Sequence, residues 1–274
     1  MEASSLGIPA LDEPSVYPGP TPEYSYLLFG HQVLPLAGSS HRLGRWRVEG
    51  SQLSLDKFLS DLGASSLDRR TAVLAFGSNA SPPQLARKFS GVPGSAIPVV
   101  KGWSYGLQLA FSAHINPVGY IPAAVRATGD FGTRLPVWLT FLDDEQLEVM
   151  DPTEPSYHRV TLEYGKGRPV VELESGEWLE AAELYRTKWG VLKLEACEDL
   201  GLISQLALRT LLEAQHWSFS KLFASEAKRP ASVGLAEVPG LTSLELVAED
   251  GLEGFLVSGS AVYGGIGSYR TDSG

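Results

Sequence analysis

The strongest constraint on this chain is a succession of short apolar runs, each of strand length, separated by brief turn or helix signals. The runs are Thr71 to Phe76, Trp103 to His114, Ile121 to Arg126, Leu135 to Phe141, Tyr157 to Tyr164, Pro169 to Glu174 and Ala181 to Thr187. Many strands close together, with only short helices between them, predict an antiparallel or mixed barrel or rolled sheet. Asp143 with Gln146 three residues on predicts a capped helix over Asp144 to Met150. One longer amphipathic stretch, Leu200 to His216, carries Leu202, Leu206, Leu208, Leu211 and Leu212 on one face and predicts a helix after the sheet. The fold class expected is therefore α+β.

Around that unit the chain divides by composition. Residues 1–22 hold Pro9, Pro14, Pro18, Pro20 and Pro22 and read as a flexible or surface-hugging lead. Residues 23–70 read as an N-terminal extension ahead of the main unit. It has a hairpin turning at Gly30-His31, then a short helix capped by Ser54 and stopped at Gly63. Residues 71–224 make the main domain with its C-terminal helix, and residues 225–274 a C-terminal extension whose end is expected to be disordered.

Charge narrows the partners. With 22 Lys and Arg against 32 Asp and Glu, the net charge is −10, which argues against nucleic acid as a partner. The densest basic stretch, His41 to Arg47, holds three arginines and runs straight into Glu49. No apolar run approaches the roughly 20 residues that span a bilayer, so no membrane partner is expected. The single cysteine, Cys197, excludes an intrachain disulfide. Beside Glu198 its thiolate is disfavoured, so a structural role is expected. The beginning of the chain lacks the pattern of a signal peptide. A soluble, acidic, cytoplasmic protein is the expectation.

Familiar catalytic patterns are mostly missing. The five histidines, at 31, 41, 114, 158 and 216, are far apart in sequence, so no metal site is expected. There is no Gly-x-Ser-x-Gly elbow. The glycine-rich run from Tyr263 to Ser268 has no helix after it and reads as tail. Two segments stand out. In Leu74 to Pro83 a strand enters a loop, Gly77-Ser78-Asn79, that opens a helix with Ser81 as cap, Pro82 first and Gln84 as box partner. Such a loop aims backbone N–H groups at one point and suits a carboxylate, a phosphate or an oxyanion. It is also compatible with a well-capped βα turn. The chain's two asparagines are Asn79 and Asn116, and one of them sits in this loop. In the second segment Glu154, flanked by Pro152, Pro155 and Tyr157, follows the short helix. Partial desolvation there would raise its pKa toward general-base range. An exposed loop glutamate is the plainer reading of the same pattern.

Together the segments resemble the γ-glutamyl cyclotransferase-like family, over roughly Thr71 to Thr187. The family's Tyr-Gly-Ser-Asn motif reads Phe76-Gly77-Ser78-Asn79 here. Its Trp-containing strand reads Val137 to Phe141, its Asp-x-x-Glu motif Asp151 to Glu154, and its Tyr-x-Arg strand Tyr157-His158-Arg159. Ile121 to Val125 resembles the strand between them. The resemblance implies a cyclotransferase-like mixed β-barrel with short flanking helices. It implies an enzyme, a lyase or acyltransferase in type, that converts a γ-glutamyl amide to 5-oxoproline and releases the amine. Glu154 would be the catalytic acid/base. Phe76, Gly77, Ser78, Asn79, Tyr157 and Tyr185 would bind a γ-glutamyl or other carboxylate-bearing small molecule, with no cofactor and no metal. Phe76 replaces the motif tyrosine and Pro155 the usual glycine after the glutamate. Both substitutions keep alive two other readings: a non-catalytic binding or scaffold protein on the same fold, and a related amide-cleaving enzyme with another substrate.

Overall fold

The structure is a computed structural model and describes residues 1–38, 40–163, 170–193, 204–215, 231–237 and 247–257. Cys197, Leu200, Leu202, His216 and the glycine-rich run at 263–268 lie outside the described residues. The strands are β1 (Tyr26–Phe29), β2 (Gln32–Ala37), β3 (Arg47–Val48), β4 (Thr71–Ala75), β5 (Ala96–Tyr105), β6 (Leu107–Phe111), β7 (His114–Ile115), β8 (Ala123–Ala127) and β9 (Arg134–Leu142). They continue as β10 (Tyr157–Glu163), β11 (Val171–Leu173), β12 (Trp178–Leu179), β13 (Ala181–Thr187), β14 (Val191–Leu192), β15 (Val233–Gly234), β16 (Val247–Ala248) and β17 (Leu256–Val257). The α-helices are α1 (Leu55–Asp61), α2 (Pro82–Lys88), α3 (Asp144–Met150) and α4 (Gln205–Gln215). Among them no helix is long and apolar enough to cross a membrane.

The α+β class holds, but the expected barrel does not: the described strands make a large open mixed sheet. Its main path runs β17-β10-β13-β4-β9-β5-β1-β2-β3, with β11 and β12 branching from β5. Every pairing is antiparallel except β13 with β4. Two features keep the sheet open. The run expected as one strand from Trp103 to His114 begins earlier, at Ala96, and breaks at Gly106, whose φ of +71° suits a residue without a side chain. Beyond that turn β6 leaves the sheet and pairs with β8 alone. The same edge of β5 is then shared by β1 on residues 96–99 and β11 on residues 102–104. The hairpin β1–β2, expected in an extension ahead of the main unit, is thereby a continuation of the main sheet.

Period-2 alternation puts successive side chains of β4 into two cores. Ala72 and Leu74 join a cluster that contains Leu55 and Leu59 of α1, while Val73 faces Leu85 of α2 and Leu147 and Met150 of α3. The start of β4 is pinned by Arg70, which is fully buried. Its guanidinium donates to the carbonyls of Ser65, Ala96 and Phe141 and to Gln146 Oε1 at 2.9–3.0 Å. One side chain thus ties β4, β5, β9 and α3 together. These bonds, with the Asp143 carboxylate 3.6 Å from Nη2, offset much of the cost of burying the charge, although Nη2 itself makes no hydrogen bond.

Local capping follows the sequence in two helices of three. Asp143 and Gln146 close the expected capping box on α3, and Ser54 Oγ accepts from Lys57 N on α1. Ser81 stands at the N-cap of α2 but makes no side-chain cap bond, and Gln84 instead accepts the N–H of Leu11 at 3.4 Å. On α4, Leu208 and Leu212 are buried against Phe111, Ile115 and Ile121, whereas Leu206, expected on that face, is 75% exposed. Of the two readings of residues 1–22, flexible or surface-hugging, the structure shows the second. The N–H of Ala3 reaches His31 O at 2.7 Å, and Ala10 and Tyr17 are buried.

Candidate functional site

A cavity of about 220 Å³ opens where β4 ends, walled by the loop after β4, the β7–β8 connection, the turn before β10 and the N-terminal segment. All seven residues singled out from the sequence, Phe76, Gly77, Ser78, Asn79, Glu154, Tyr157 and Tyr185, line it. The strand places the loop, and Asn79 lies in a single 3₁₀ turn, Ser78–Ala80, that leads into α2. The backbone N–H groups of Gly77, Ser78 and Asn79 donate to no group among the described residues.

Glu154 is brought in from the opposite direction. Helix α3 runs into a 3₁₀ turn over Asp151–Thr153, and Glu154 is the residue on which that turn ends, its N–H bonded to Asp151 O at 3.1 Å. The turn points its carboxylate across the cavity to Asn79, whose Nδ2 donates to Glu154 Oε1 at 3.0 Å. A third group completes the arrangement. Lys88, the last residue of α2, donates from Nζ to Asn79 Oδ1 at 2.7 Å and forms an ion pair with Glu154. The side chains of Lys88 and Glu154 are only 3% and 13% exposed. The expectation of a carboxylate amid apolar neighbours is corrected here, because Glu154 Oε1 meets a buried ammonium and a side-chain amide. Lys88 was missed by the sequence reading. A signal existed: Gln84 and Lys88 lie four apart, one helical turn, on the face that begins at the loop.

Four phenols surround these groups. Burial pushes the hydroxyls of Tyr17, Tyr120, Tyr157 and Tyr185 above the ordinary tyrosine range, so each stays protonated. Two are committed: Tyr185 donates to Asp151 Oδ1 at 2.7 Å and Tyr157 to Ala123 O at 3.3 Å. Asp151 is held in turn by a bidentate contact from Arg159 at 2.9 and 3.2 Å. Tyr17, also missed by the sequence reading, stacks on Tyr120 at 4.3 Å and accepts the N–H of Ala123 at 2.6 Å. A Cβ at Gly77 would stand 2.6 Å from Tyr17 Oη and 3.3 Å from Ala123 Cβ.

That spacing gives a direct expectation. Gly77→Ala must push the Tyr17 ring off Tyr120 and away from Ala123 N, at a cost of about 1–3 kcal/mol for an overpacked site. Thermal unfolding should show a lower Tm, and Tyr17→Phe in the same background should recover part of it. An unchanged Tm would mean that the ring has room to move.

His114 forms part of the inner wall. It is fully buried, its ring stacks on Trp189 at 5.8 Å and meets Tyr157 edge-on at 6.0 Å. Its Nδ1 lies 2.6 Å from Ser112 Oγ, and its Nε2 has no partner among the described residues. Burial pushes the imidazole down to about 3, far below its ordinary 6.5. Between these values the unfolded chain binds a proton that the folded protein does not. Stability from this group is therefore complete above about pH 6.5 and falls as the pH drops toward 3. Urea unfolding at pH 7 and pH 5 should show a loss of about 2 kcal/mol that is absent in His114→Asn. Equal losses in both proteins would mean that the folded ring accepts the proton.

Among the described residues, no group of three or more His, Cys, Asp or Glu side chains is arranged to hold a metal ion. The polar lining instead offers hydrogen-bond donors, one carboxylate and one ammonium. The chain matches no protein-family model, no curated protein and no solved structure, so the cavity's own geometry carries the functional reading.

Proposed function

We propose that this cavity converts a γ-glutamyl amide to 5-oxoproline with release of the amine. The observation that carries the reading is that Glu154, held by Lys88 and Asn79, shares one cavity with the unengaged amides of Gly77, Ser78 and Asn79. The amides would hold the carboxylate end of the γ-glutamyl group. The substrate's neutral α-amine attacks its own γ-carbonyl and closes a five-membered ring, while Glu154 takes one of the two protons of that nitrogen. The bond from that carbon to the leaving nitrogen then breaks as the protonated Glu154 returns its proton to that nitrogen. Lys88 and Asn79 together hold the Glu154 carboxyl in one position for both transfers. The closure is intramolecular, so holding the extended chain in a bent form supplies much of the acceleration.

The test is release of 5-oxoproline from a panel of γ-glutamyl amides and dipeptides, together with the Tm measured with 5-oxoproline added. Turnover of any member supports the reading. No product from the whole panel and no shift in Tm would overturn it. A shift in Tm without turnover would favour a binding protein on the same fold.

A further inference from the structure

His114 lines the same cavity, yet no step above uses it, and its Nε2 is an unpartnered polar atom on a fully buried side chain. The tautomer follows from the hydroxyls behind the ring. Ser112 Oγ contacts both His114 Nδ1 and Thr187 Oγ1, and Thr187 Oγ1 already accepts the N–H of Trp189 at 3.2 Å. If Thr187 donates to Ser112 and Ser112 donates to Nδ1, both buried hydroxyl hydrogens are satisfied. Reversing the chain would leave the Thr187 hydrogen without an acceptor among the described residues, in addition to the orphaned Nε2. The first arrangement leaves one unpaired group and the second leaves two. Nδ1 is then the acceptor, and the proton sits on Nε2.

We propose that His114 is a binding and catalytic group that offers a neutral Nε2–H to the amide carbonyl oxygen of the ligand. This rests on the cyclotransferase reading. The acceptor class follows from charge. An uncharged donor in a dry wall brings no counter-charge for a carboxylate, but it matches the oxygen of an uncharged amide. When the α-amine attacks, that oxygen gains negative charge and the same hydrogen bond strengthens, which lowers the barrier. Ser112 and Thr187 are positioning residues that hold the tautomer.

Two isosteres separate the donor from the packing. The amide of Asn reaches the place of Nδ1 and keeps the contact with Ser112, while the amide of Gln reaches the place of Nε2. In the 5-oxoproline assay, His114→Asn is expected to lower kcat by about 10²- to 10³-fold with little change in KM. His114→Gln should stay within about tenfold of wild type. Equal losses in the two variants, or no loss in His114→Asn, would overturn the proposal while an active wild type leaves the cyclotransferase reading in place. A wild type inert toward the whole γ-glutamyl panel would overturn both. A measurement on wild type alone guards against misfolded variants. With ¹⁵N-labelled histidine, the His114 resonances should report a neutral ring protonated on Nε2 from pH 7 to pH 5, and the Nε2 signal should move when 5-oxoproline is added. A proton on Nδ1, or an unmoved signal despite a 5-oxoproline shift in Tm, would overturn the role of His114 and spare the cyclotransferase reading.

Discussion

Glu154→Gln is expected to cut 5-oxoproline release by about 10²- to 10⁴-fold, the usual cost of losing a general acid/base. Glutamine keeps the shape and one acceptor oxygen, so the bond from Asn79 Nδ2 can persist, but it cannot carry the proton in either direction. The ion pair adds a second consequence. Lys88 is almost wholly buried and loses its only opposite charge among the described residues. Breaking one partner out of a buried pair costs about 3–5 kcal/mol, so the variant should be folded but melt at a lower temperature. Circular dichroism at a temperature below both transitions separates the two effects. Turnover near the wild-type rate in the folded variant would remove Glu154 from the mechanism.

Lys88→Met should produce the mirror image. Methionine fills much of the lysine's volume, while Glu154 is left as a carboxylate whose remaining contact among the described residues is Asn79. A destabilisation of about 3–5 kcal/mol is expected from the unpaired charge. Activity should fall as well, because Glu154 and Asn79 both lose the ammonium that holds them in place. Combining Lys88→Met with Glu154→Gln removes both charges, and double-mutant coupling should recover most of the lost stability without restoring activity. If the two losses in stability simply add, the pair contributes nothing as a pair, and the buried contact between α2 and the turn before β10 is incidental.

Much of this site was legible in the residue order because it depends on local chemistry. The apolar run from Thr71 makes a strand wherever it is packed, and the glycine that follows it ends the strand. Asp143 and Gln146 cap α3 through bonds that span three residues. The turn that presents Glu154 is one residue beyond a helix whose end Pro152 already marks. These features need no distant partner, so Asn79 and Glu154 could be named, although nothing local could place them in contact.

What the sequence by itself determined is the set of elements: the alternation that gives β4 two buried faces, the caps of α1 and α3, the loop at Gly77 to Asn79 and a carboxylate after α3. Only the tertiary structure decided how they close on one another. Gly106 turns the chain out of β5, so the sheet stays open and the hairpin β1–β2 takes the edge that a barrel would have used. Lys88 meets Glu154, 66 residues away, because α2 and α3 pack on the same face of the sheet. Tyr17 and His114 reach the cavity from segments with no motif at all. The physical reason is the same in each case. Strand periodicity and capping are fixed by forces that act within a few residues, whereas a buried charge, an orphaned ring nitrogen or a phenol against a glycine acquires its meaning from neighbours that only packing supplies.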